Sequence, residues 1–196
     1  MLPQRFHDLN AAEPDWRSML SKSDSRVPMI WRDWLADAGS LTERLMNASD
    51  GNLSVSVLKQ GLEVPRFSER QLLGLNHRRT AMVREVVLYG NSQPWVFARS
   101  ILPLTTLTGR LRKLRQLSDQ PLGELLFKDP SMRREPVQFA RFDSGNRLLP
   151  QSASGSDQAS WGRRSVFRLD NKPLLVAEVF LPGFDAYNLV LSLIHI

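Results

Sequence analysis

Two pairs of alternating segments, each joined by a short polar turn, constrain the fold of this chain most strongly. Residues 161–182 contain one pair around a turn at Asp170–Lys172. Residues 80–89 and 94–102 contain the other pair around Gly90–Gln93. Alternation of apolar and polar residues predicts strands that bury one face, and turns rich in Gly, Asn and Asp between such strands predict β-hairpins. We therefore expect the chain to build an antiparallel sheet.

Further elements are expected around these hairpins. Residues 53–60 alternate as a strand, and residues 133–143 form another strand that bends at Pro136. Residues 14–48 have a helical pattern, with a capping box at Ser40–Glu43 that begins a second short helix.

Two more helices and a loop follow from local patterns. Residues 107–117 carry an apolar stripe and a basic opposite face, and Pro121 suits the first position of another helix. Residues 144–159, rich in Ser, Gly and Gln, predict a loop. Sequential hairpins flanked by helices indicate an α+β fold with a single domain.

The composition excludes several kinds of functional site. The 196 residues suit one domain with a sizeable core, and they include no cysteine. Disulfides, thiolate metal sites and a cysteine nucleophile are therefore excluded, which fits a reducing cytosol. The three histidines, His7, His77 and His195, are too scattered to indicate a metal site or a histidine-based triad. We expect neither a metal nor a cofactor.

The sequence also predicts a soluble, cytoplasmic protein. Residues 1–16 lack the basic-then-apolar pattern of a signal peptide. No run approaches the roughly 20 apolar residues that a membrane-spanning helix needs.

The net charge of +6 raises nucleic acid as a partner. Much of the basic charge lies in residues 107–117, where a solvated helix face explains it as well as an anionic partner does. No RNA-binding signature or zinc-finger spacing is present, and a small acidic substrate explains a mildly basic protein equally well. We therefore expect no nucleic-acid partner.

The end of the chain has an unusual sequence. Residues 191–196 are the translation of CTGTCTCTTATACACATC, the transposon end sequence used in DNA library preparation. We expect this segment, with His195, to be foreign to the native protein, and we exclude it from the fold.

Each hairpin carries one charge on an otherwise apolar face. In the strand after the turn at 170–172, Glu178 shares a face with Leu174, Val176 and Phe180. In the strand before Gly90, Arg84 shares a face with Met82, Val86 and Leu88. A charge buried alone destabilises the fold, so each of these two needs a partner.

Three interpretations of these charges stay open on the pattern alone. Arg84 and Glu178 form an ion pair in the core, the strand register is misjudged, or the two charges bind opposite ends of one polar ligand. Arg99 and Arg163 also share faces with apolar residues, and for both we favour packing or solvation.

Two predicted helix starts bear on the third interpretation. Leu41 follows the Ser40 cap, and Leu122 follows Pro121. The N–H groups in the first turn of a helix have no acceptor within the helix and attract anions. Because every helix has such a start, this feature alone is weak.

Four groups of residues resemble the motifs of one enzyme family. They are Trp161–Ser165, Lys172–Leu175 with Glu178 and Phe180–Pro182, Arg84–Glu85 before Pro94–Trp95, and Pro121–Gly123 with Phe127. These segments resemble chorismate pyruvate-lyase, the bacterial enzyme that makes 4-hydroxybenzoate for ubiquinone. The similarity covers residues 28–187 in matching order, leaving residues 1–27 as an N-terminal extension and 188–196 as a tail.

The resemblance implies roles for four residues. Arg84 corresponds to the residue that binds the ring carboxylate, and Glu178 to the one that faces the ring hydroxyl. Leu41 and Leu122 match positions that line the ligand through their backbones. Better-known members carry Met at the position of Leu41, a change that a backbone role would survive. The family fold is an antiparallel sheet with helices, and its ligand is buried beneath helical flaps.

The resemblance also implies a reaction: chorismate gives 4-hydroxybenzoate and pyruvate, without a cofactor, in a protein that we expect to be a monomer. Either Glu178 acts as a general base or orients the C4 hydroxyl, or C4–H passes directly to the enolpyruvyl methylene in a cyclic transition state. For the second carboxylate of chorismate, Arg163 and Arg164 are the candidates.

Two other functions are weighed beside this one. Effector-sensing domains of some bacterial winged-helix regulators share the fold, but residues 1–27 are too few for a winged helix, so we place this reading second. A nucleic-acid-binding protein is the third, resting on charge alone.

Overall fold

One antiparallel sheet forms the centre of the fold. The computed structural model describes residues 13–19, 24–150 and 158–186. The strands are β1 (Arg17–Ser18), β2 (Leu53–Glu63), β3 (Ala81–Gly90), β4 (Gln93–Pro103), β5 (Arg133–Arg134), β6 (Gln138–Phe142), β7 (Ser160–Leu169) and β8 (Lys172–Phe180). Among the described residues they pair in the order β1-β6-β7-β8-β4-β3-β2, and β5 pairs with β7. The predicted antiparallel sheet is confirmed.

Both predicted hairpins form around turns of two residues. Asn91 and Ser92 join β3 to β4, and Asp170 and Asn171 join β7 to β8. All four residues have positive φ angles, between 50° and 63°. Two central residues with positive φ match the right-handed twist of the flanking strands, which explains why Asn and Asp occur here.

The helices flank this sheet. They are α1 (Met29–Ala36), α2 (Leu41–Ala48), α3 (Phe67–Leu73), a 3₁₀ helix (Gly109–Gln116) and α4 (Leu122–Phe127). The apolar residues of the 3₁₀ helix, Leu111 and Leu114, are buried, and their spacing of three suits its three residues per turn. Pro121 precedes α4 as its cap, one position earlier than predicted.

The predicted helix over residues 14–48 was wrong in its first part. Residues 17–18 form strand β1, which pairs with β6 at the edge of the sheet. The first helix begins only at Met29, after Pro28. Because proline disfavours a helical conformation in the residue before it, it separates the extended segment from α1. Ser40 caps α2 as predicted, its Oγ accepting from the Glu43 N–H at 3.3 Å.

The sheet has two covered faces. On the front face, Arg84 lies beside Ser100 and Val176, while Ala98 lies beside Glu178. The predicted apolar faces around Arg84 and Glu178 are therefore correct, and they are one face of the sheet. Helices α1, α2, α4 and the 3₁₀ helix pack on it through two apolar clusters. The back face, which carries Glu85 and Arg99, packs against α3 and the segment around Trp16.

Some predictions concern parts of the chain outside the described residues. The tail at 188–196 lies outside them, and so do residues 151–157 of the predicted loop and much of the extension at 1–27. Within the described ranges, no helix is both long and apolar enough to cross a bilayer.

Gly90 allows the front-face core to close at the end of the β3–β4 hairpin. A Cβ atom at this position would lie 2.1 Å from Cε3 of Trp95. Trp95 is buried and packs edge-to-face on Phe184, with ring centroids 5.6 Å apart. Any side chain at position 90 would therefore displace the indole.

We predict that Gly90→Ala lowers the free energy of unfolding by about 1–3 kcal/mol, the usual cost of overpacking a core. Gly61→Ala is the matched control, because Gly61 lies in strand β2 and a Cβ there would meet no atom within 4 Å. The control should be neutral or slightly stabilising. Urea denaturation of both variants measures the difference, and equal stability would contradict the packing given for Trp95.

Candidate functional site

A cavity lies between the front face of the sheet and the first turns of α2 and α4. We call it the front cavity; it encloses about 420 Å³, counting the solvent at its mouth. Arg84 and Glu178 line it from the sheet, and Leu41 and Leu122 line it from the two helices. The remaining lining residues are Thr42, Val55, Val86, Leu88, Ala98, Ser100, Pro121, Gly123 and Val176. The structure thus brings together the four residues selected from the sequence, whose roles in binding stay a prediction.

Arg84 is a buried cation held by neutral groups. Only 2% of the residue is exposed. Its Nη1 donates to Oε1 of Gln60 at 2.8 Å, and its Nη2 donates to the carbonyl of Gln120 at 3.2 Å. Burial lowers the pKa of Arg84, and the charge of Asp119 offsets only part of this effect. No carboxylate of the described residues forms an ion pair with Arg84, so its charge is available to an anion in the cavity.

Gln60 reaches Arg84 because β2 contains an irregularity. The pairing of β2 with β3 shifts between Val57 and Lys59, so that Leu58 is an extra residue. After the shift, Gln60 lies opposite Arg84 on the front face. A regular strand would turn Gln60 to the other face, since side chains alternate along a strand. For this reason the sequence pattern missed Gln60.

Glu178 is paired with Arg163. Its Oε2 accepts from Nε of Arg163 at 2.8 Å. Nη1 of Arg163 donates to the carbonyls of Trp34 and Asp37, at the C-terminal end of α1, at 2.9 Å each. The first of the three interpretations, an ion pair between Arg84 and Glu178, is therefore wrong. So is the solvated alternative for Arg163, which is only 1% exposed.

The first turns of α2 and α4 meet above the cavity. A Cβ atom on Gly123 would lie 2.9 Å from Oγ1 of Thr42, so the two helices approach closely because position 123 has no side chain. Leu41 and Leu122 are the first residues of their helices and are both buried. First-turn N–H groups of both helices therefore lie at the lining of the cavity that contains Arg84.

Arg99 lies on the opposite side of the sheet and is neutralised there. Its Nε donates to Oε1 of Glu69 at 2.7 Å, and its Nη1 donates to Oε1 of Glu85 at 2.5 Å. Burial alone would raise the pKa of Glu69, but the hydrogen bond and charge of Arg99 lower it. Packing, one of the two alternatives favoured for Arg99, is correct, and solvation is wrong because the residue is buried.

Arg164 also faces the back of the sheet, beside Ala177. It donates to Oε1 of Gln138 and Oγ of Ser68, and its guanidinium lies 4.4 Å from the ring centroid of Trp16. A second cavity, lined in part by Glu13, Pro14 and Trp16, lies there. Because Arg164 points away from Glu178, it is wrong as a candidate for binding a substrate in the front cavity.

Sequence reasoning missed Arg134, which lies near Glu178. Its Nε donates to Oγ of Ser165 at 3.0 Å, and its Nη1 donates to the carbonyl of Asp37 at 3.0 Å. Its guanidinium lies 5.2 Å from the ring centroid of Phe167. Arg134 belongs to a strand of two residues before Pro136, where no periodic pattern indicates which way a side chain points.

No group of three His, Asp or Glu side chains that could hold a metal ion occurs in the part of the chain that the structure describes. The charged groups that line the front cavity are Arg84 and Glu178. An apolar cavity with one cation and one carboxylate suits a small ligand that has an anionic group and a hydrogen-bond donor.

Comparisons with known proteins identify relatives over most of the chain. A family model described as Chorismate lyase matches residues 16–188. A protein of Thiobacillus denitrificans named "Probable chorismate pyruvate-lyase" is 41% identical over 161 residues, which cover 81% of this chain and 86% of the relative. A protein of the same name from Methylococcus capsulatus is 42% identical over 151 residues, covering 76% and 93%.

A solved structure shares the fold at low identity. The C-terminal domain of the histidine utilization repressor from Pseudomonas syringae superposes with a TM-score of 0.53. It is 13% identical, and the match covers 67% of this chain and 92% of that one. At this identity the likeness concerns the fold alone.

We predict that Arg163→Met lowers the free energy of unfolding by about 3–5 kcal/mol, because it leaves the Glu178 carboxylate without its buried partner. Arg168→Met is the matched control on the same strand, since Arg168 pairs with Glu135 where both side chains are 40% exposed. A surface pair contributes only about 0–1 kcal/mol. Chemical denaturation checks both values, and a loss in Arg163→Met no larger than the control's would contradict the anchoring role.

Proposed function

This chain belongs to the chorismate lyase family, and we propose that it eliminates pyruvate from chorismate to give 4-hydroxybenzoate. The observation that carries the proposal is the arrangement of Arg84 and Glu178 around one largely apolar cavity. Strand β4 lies between their strands, and Glu178 is offset by two residues from the position in line with Arg84. At about 4.8 Å per strand and about 3.4 Å per residue, their backbones are roughly 12 Å apart. That separation leaves room for one six-membered ring between a cation and a carboxylate.

In the proposed complex, Arg84 binds the ring carboxylate. A guanidinium can bind a carboxylate through two parallel hydrogen bonds, and such charge-assisted bonds are stronger than neutral ones. Backbone N–H groups in the first turns of α2 and α4, at Leu41 and Leu122, add donors on the same side of the ligand. Burial strengthens these interactions, because less water competes for the anion.

Glu178 is proposed to face the C4 hydroxyl, at the other end of the ring. A carboxylate accepts hydrogen bonds and can hold a hydroxyl in one orientation. Its Oε2 is occupied by Arg163 at 2.8 Å, so the side chain keeps one position while Oε1 can accept from the ligand. The helical cover would then enclose the ligand, as the predicted flaps require.

The reaction redistributes atoms within one molecule. The bond between C3 and the enolpyruvyl oxygen breaks, and its electron pair leaves with that oxygen. Hydrogen leaves C4, the ring becomes aromatic, and the enolpyruvate takes up a proton to give pyruvate. Because aromatisation makes the step strongly downhill, the protein has to supply orientation and charge stabilisation.

Two routes satisfy this balance. In one, Glu178 takes part in removing the C4 hydrogen or orients the hydroxyl while a cation stabilises the departing enolate. In the other, the C4 hydrogen passes directly to the enolpyruvyl methylene, and the protein holds the reactive conformer. We favour positioning together with electrostatic stabilisation. The proposal also takes the protein to act as a cytoplasmic monomer without a nucleic-acid partner, its product entering ubiquinone biosynthesis.

The test is incubation of the purified protein with chorismate, following 4-hydroxybenzoate by its absorbance and pyruvate by a coupled assay. We expect both products in equal amounts. Binding of 4-hydroxybenzoate without turnover would overturn the enzymatic proposal and favour an effector-sensing domain.

We predict that Arg84→Ala weakens binding of both chorismate and 4-hydroxybenzoate by about 2–4 kcal/mol, because both carry the carboxylate that the guanidinium binds. Arg84→Lys should restore only part of the loss, since it keeps the charge but not the two parallel bonds. Titration calorimetry with 4-hydroxybenzoate measures the effect, with Arg112→Ala as an exposed control. Unchanged product affinity in Arg84→Ala would show that the residue serves only the fold.

We predict that Glu178→Gln lowers kcat by roughly 10²-fold or more while the protein stays folded, if an ionised carboxylate takes part in the reaction. The amide oxygen of Gln can still accept from Arg163 while its NH2 group donates to the hydroxyl oxygen, so a carboxylate that only orients the ligand should be replaced with little loss of rate. Turnover and thermal unfolding are measured together, with Glu178→Ala for comparison. A stable Gln variant with full activity would rule out the need for a charge at this position.

A further inference from the structure

We infer that Arg134 binds the second carboxylate of the substrate, the one on the enolpyruvyl group. This inference rests on the proposed function and adds a residue that neither the motifs nor the front-cavity lining identifies. Four observations support it: the position of the second carboxylate in the substrate, the commitment of Arg163, the neutral partners of Arg134 and its place beside the cavity wall.

The chemistry of chorismate requires a second anion site near Glu178. The ring carboxylate is on C1, the hydroxyl is on C4 across the ring, and the enolpyruvyl ether is on C3, next to the hydroxyl. If Arg84 binds the C1 carboxylate and Glu178 faces the C4 hydroxyl, the enolpyruvyl carboxylate must lie near Glu178. Two anions in one enclosed site need two cations, because an unpaired buried charge is costly.

Arg163 is the cation closest to Glu178, but its charge is already paired, and two of its three guanidinium nitrogens already donate. Its Nε donates to the Glu178 carboxylate at 2.8 Å, and its Nη1 donates to the carbonyls of Trp34 and Asp37. Its charge is thus balanced by Glu178 and by the end of α1. To bind a substrate carboxylate through two parallel hydrogen bonds, Arg163 would have to weaken a bond of Nε or Nη1, because only Nη2 has no partner among the described residues.

No carboxylate of the described residues forms an ion pair with Arg134. Its bonds go to a hydroxyl and a carbonyl, Ser165 Oγ and Asp37 O. Burial, together with the charge of Arg163, lowers the pKa of Arg134 to about 10, while the charges of Glu178 and Asp37 raise it. The guanidinium is therefore protonated at neutral pH, and it lies close enough to Glu178 and Arg163 to interact with both.

The neighbours of Arg134 direct it towards the front cavity. Ser165, to which it donates, lies opposite Val176 in the pairing of β7 with β8, and Val176 lines the cavity. Phe167 supports the guanidinium, with its ring centroid 5.2 Å away. The side chain thus lies beside the cavity on the β7 side, next to the lining residue Val176 and close enough to Glu178 to interact with it.

A cation at this position would also stabilise the negative charge that forms when the C3–O bond breaks. When the C3–O bond cleaves, its electron pair moves to the enolpyruvyl oxygen, and the leaving group carries that charge beside its own carboxylate. A fixed guanidinium stabilises charge that develops there without having to reorganise. Because 4-hydroxybenzoate lacks the enolpyruvyl group, Arg134 contributes to substrate binding and to the reaction but not to product binding.

The experiment compares Arg134→Gln with Arg133→Gln, the exposed neighbour on the same two-residue strand. For Arg134→Gln we expect kcat/KM for chorismate to fall roughly 10- to 100-fold, the range for losing a hydrogen bond to a charged group. Its Kd for 4-hydroxybenzoate and its melting temperature should stay close to those of the Arg133→Gln control. Arg134→Lys, which keeps the charge, should lie between the two. Equal kcat/KM in Arg134→Gln and Arg133→Gln would overturn the inference. Parallel losses of turnover, product affinity and stability in Arg134→Gln would also overturn it, because they indicate a structural residue.

A binding measurement separates this inference from the proposed reaction. The probe is 3-(carboxymethoxy)-4-hydroxybenzoate, a stable aromatic dicarboxylate with its ether at C3. By calorimetry, the wild-type protein should bind it more tightly than 4-hydroxybenzoate, and Arg134→Gln should abolish that preference while Arg133→Gln keeps it. Absence of turnover in the wild-type protein with this preference intact would refute the reaction but not the anion site. Absence of the preference in the wild-type protein would refute the site itself.

Discussion

The guanidinium of Arg163 joins the helical cover to the sheet, and the arrangement of the front cavity depends on it. One side of the group binds Glu178 in the neighbouring strand, and Nη1 binds two carbonyls at the end of α1. Helix C-termini carry partial negative charge and unpaired carbonyls, so a buried cation between a helix end and a carboxylate satisfies both. Fixing α1 in this way places α2 above the sheet, and it holds Glu178 in one orientation on an apolar face. Arg163 thus stabilises the fold and orients a residue of the site with the same bonds.

Two buried arginines on opposite faces of the sheet, Arg99 and Arg84, have different partners. On the back face, Arg99 is matched by two carboxylates, Glu69 and Glu85, and this cluster is complete without a ligand. On the front face, Arg84 is held by an amide oxygen and a carbonyl. Neutral acceptors compensate for lost water only in part, so this cation lowers the stability of the empty protein. In the proposed complex, the carboxylate of the ligand supplies the missing counter-charge, which would favour acidic ligands over neutral ones.

The partner of Glu178 could have been predicted from the sequence, but the partners of Arg134 could not. With Asp170 and Asn171 as the turn, Leu169 pairs with Lys172, and counting back along both strands places Arg163 opposite Glu178. The predicted turn at 170–172 left the register open by one residue, and a slip of one residue turns every side chain to the other face. Arg134, in contrast, bonds to residues 31 and 97 positions away in the chain. Contacts at such separations depend on how helices and sheet pack, which no local pattern contains.

Side chains do not alternate regularly in the two strands that flank Arg84, and these irregularities decide which charges face the cavity. A regular hairpin around Asn91 and Ser92 would place Arg84 opposite Arg99, two like charges on one face, which is destabilising. Instead the pairing of β3 with β4 shifts between Leu88 and Tyr89, and Trp95 becomes the extra residue. Arg99 then faces Glu85 and turns to the back of the sheet, while Arg84 faces Ser100 at the front.

The extra Leu58 in β2 brings Gln60 to Arg84 from the other side. Two single-residue irregularities therefore separate Arg99, which two carboxylates neutralise at the back, from Arg84 at the front, with which no carboxylate of the described residues forms an ion pair. Bulges of this kind re-aim side chains beside functional sites. The hairpins and their apolar faces follow from periodicity, but the charge pattern of the cavity follows from where that periodicity is broken.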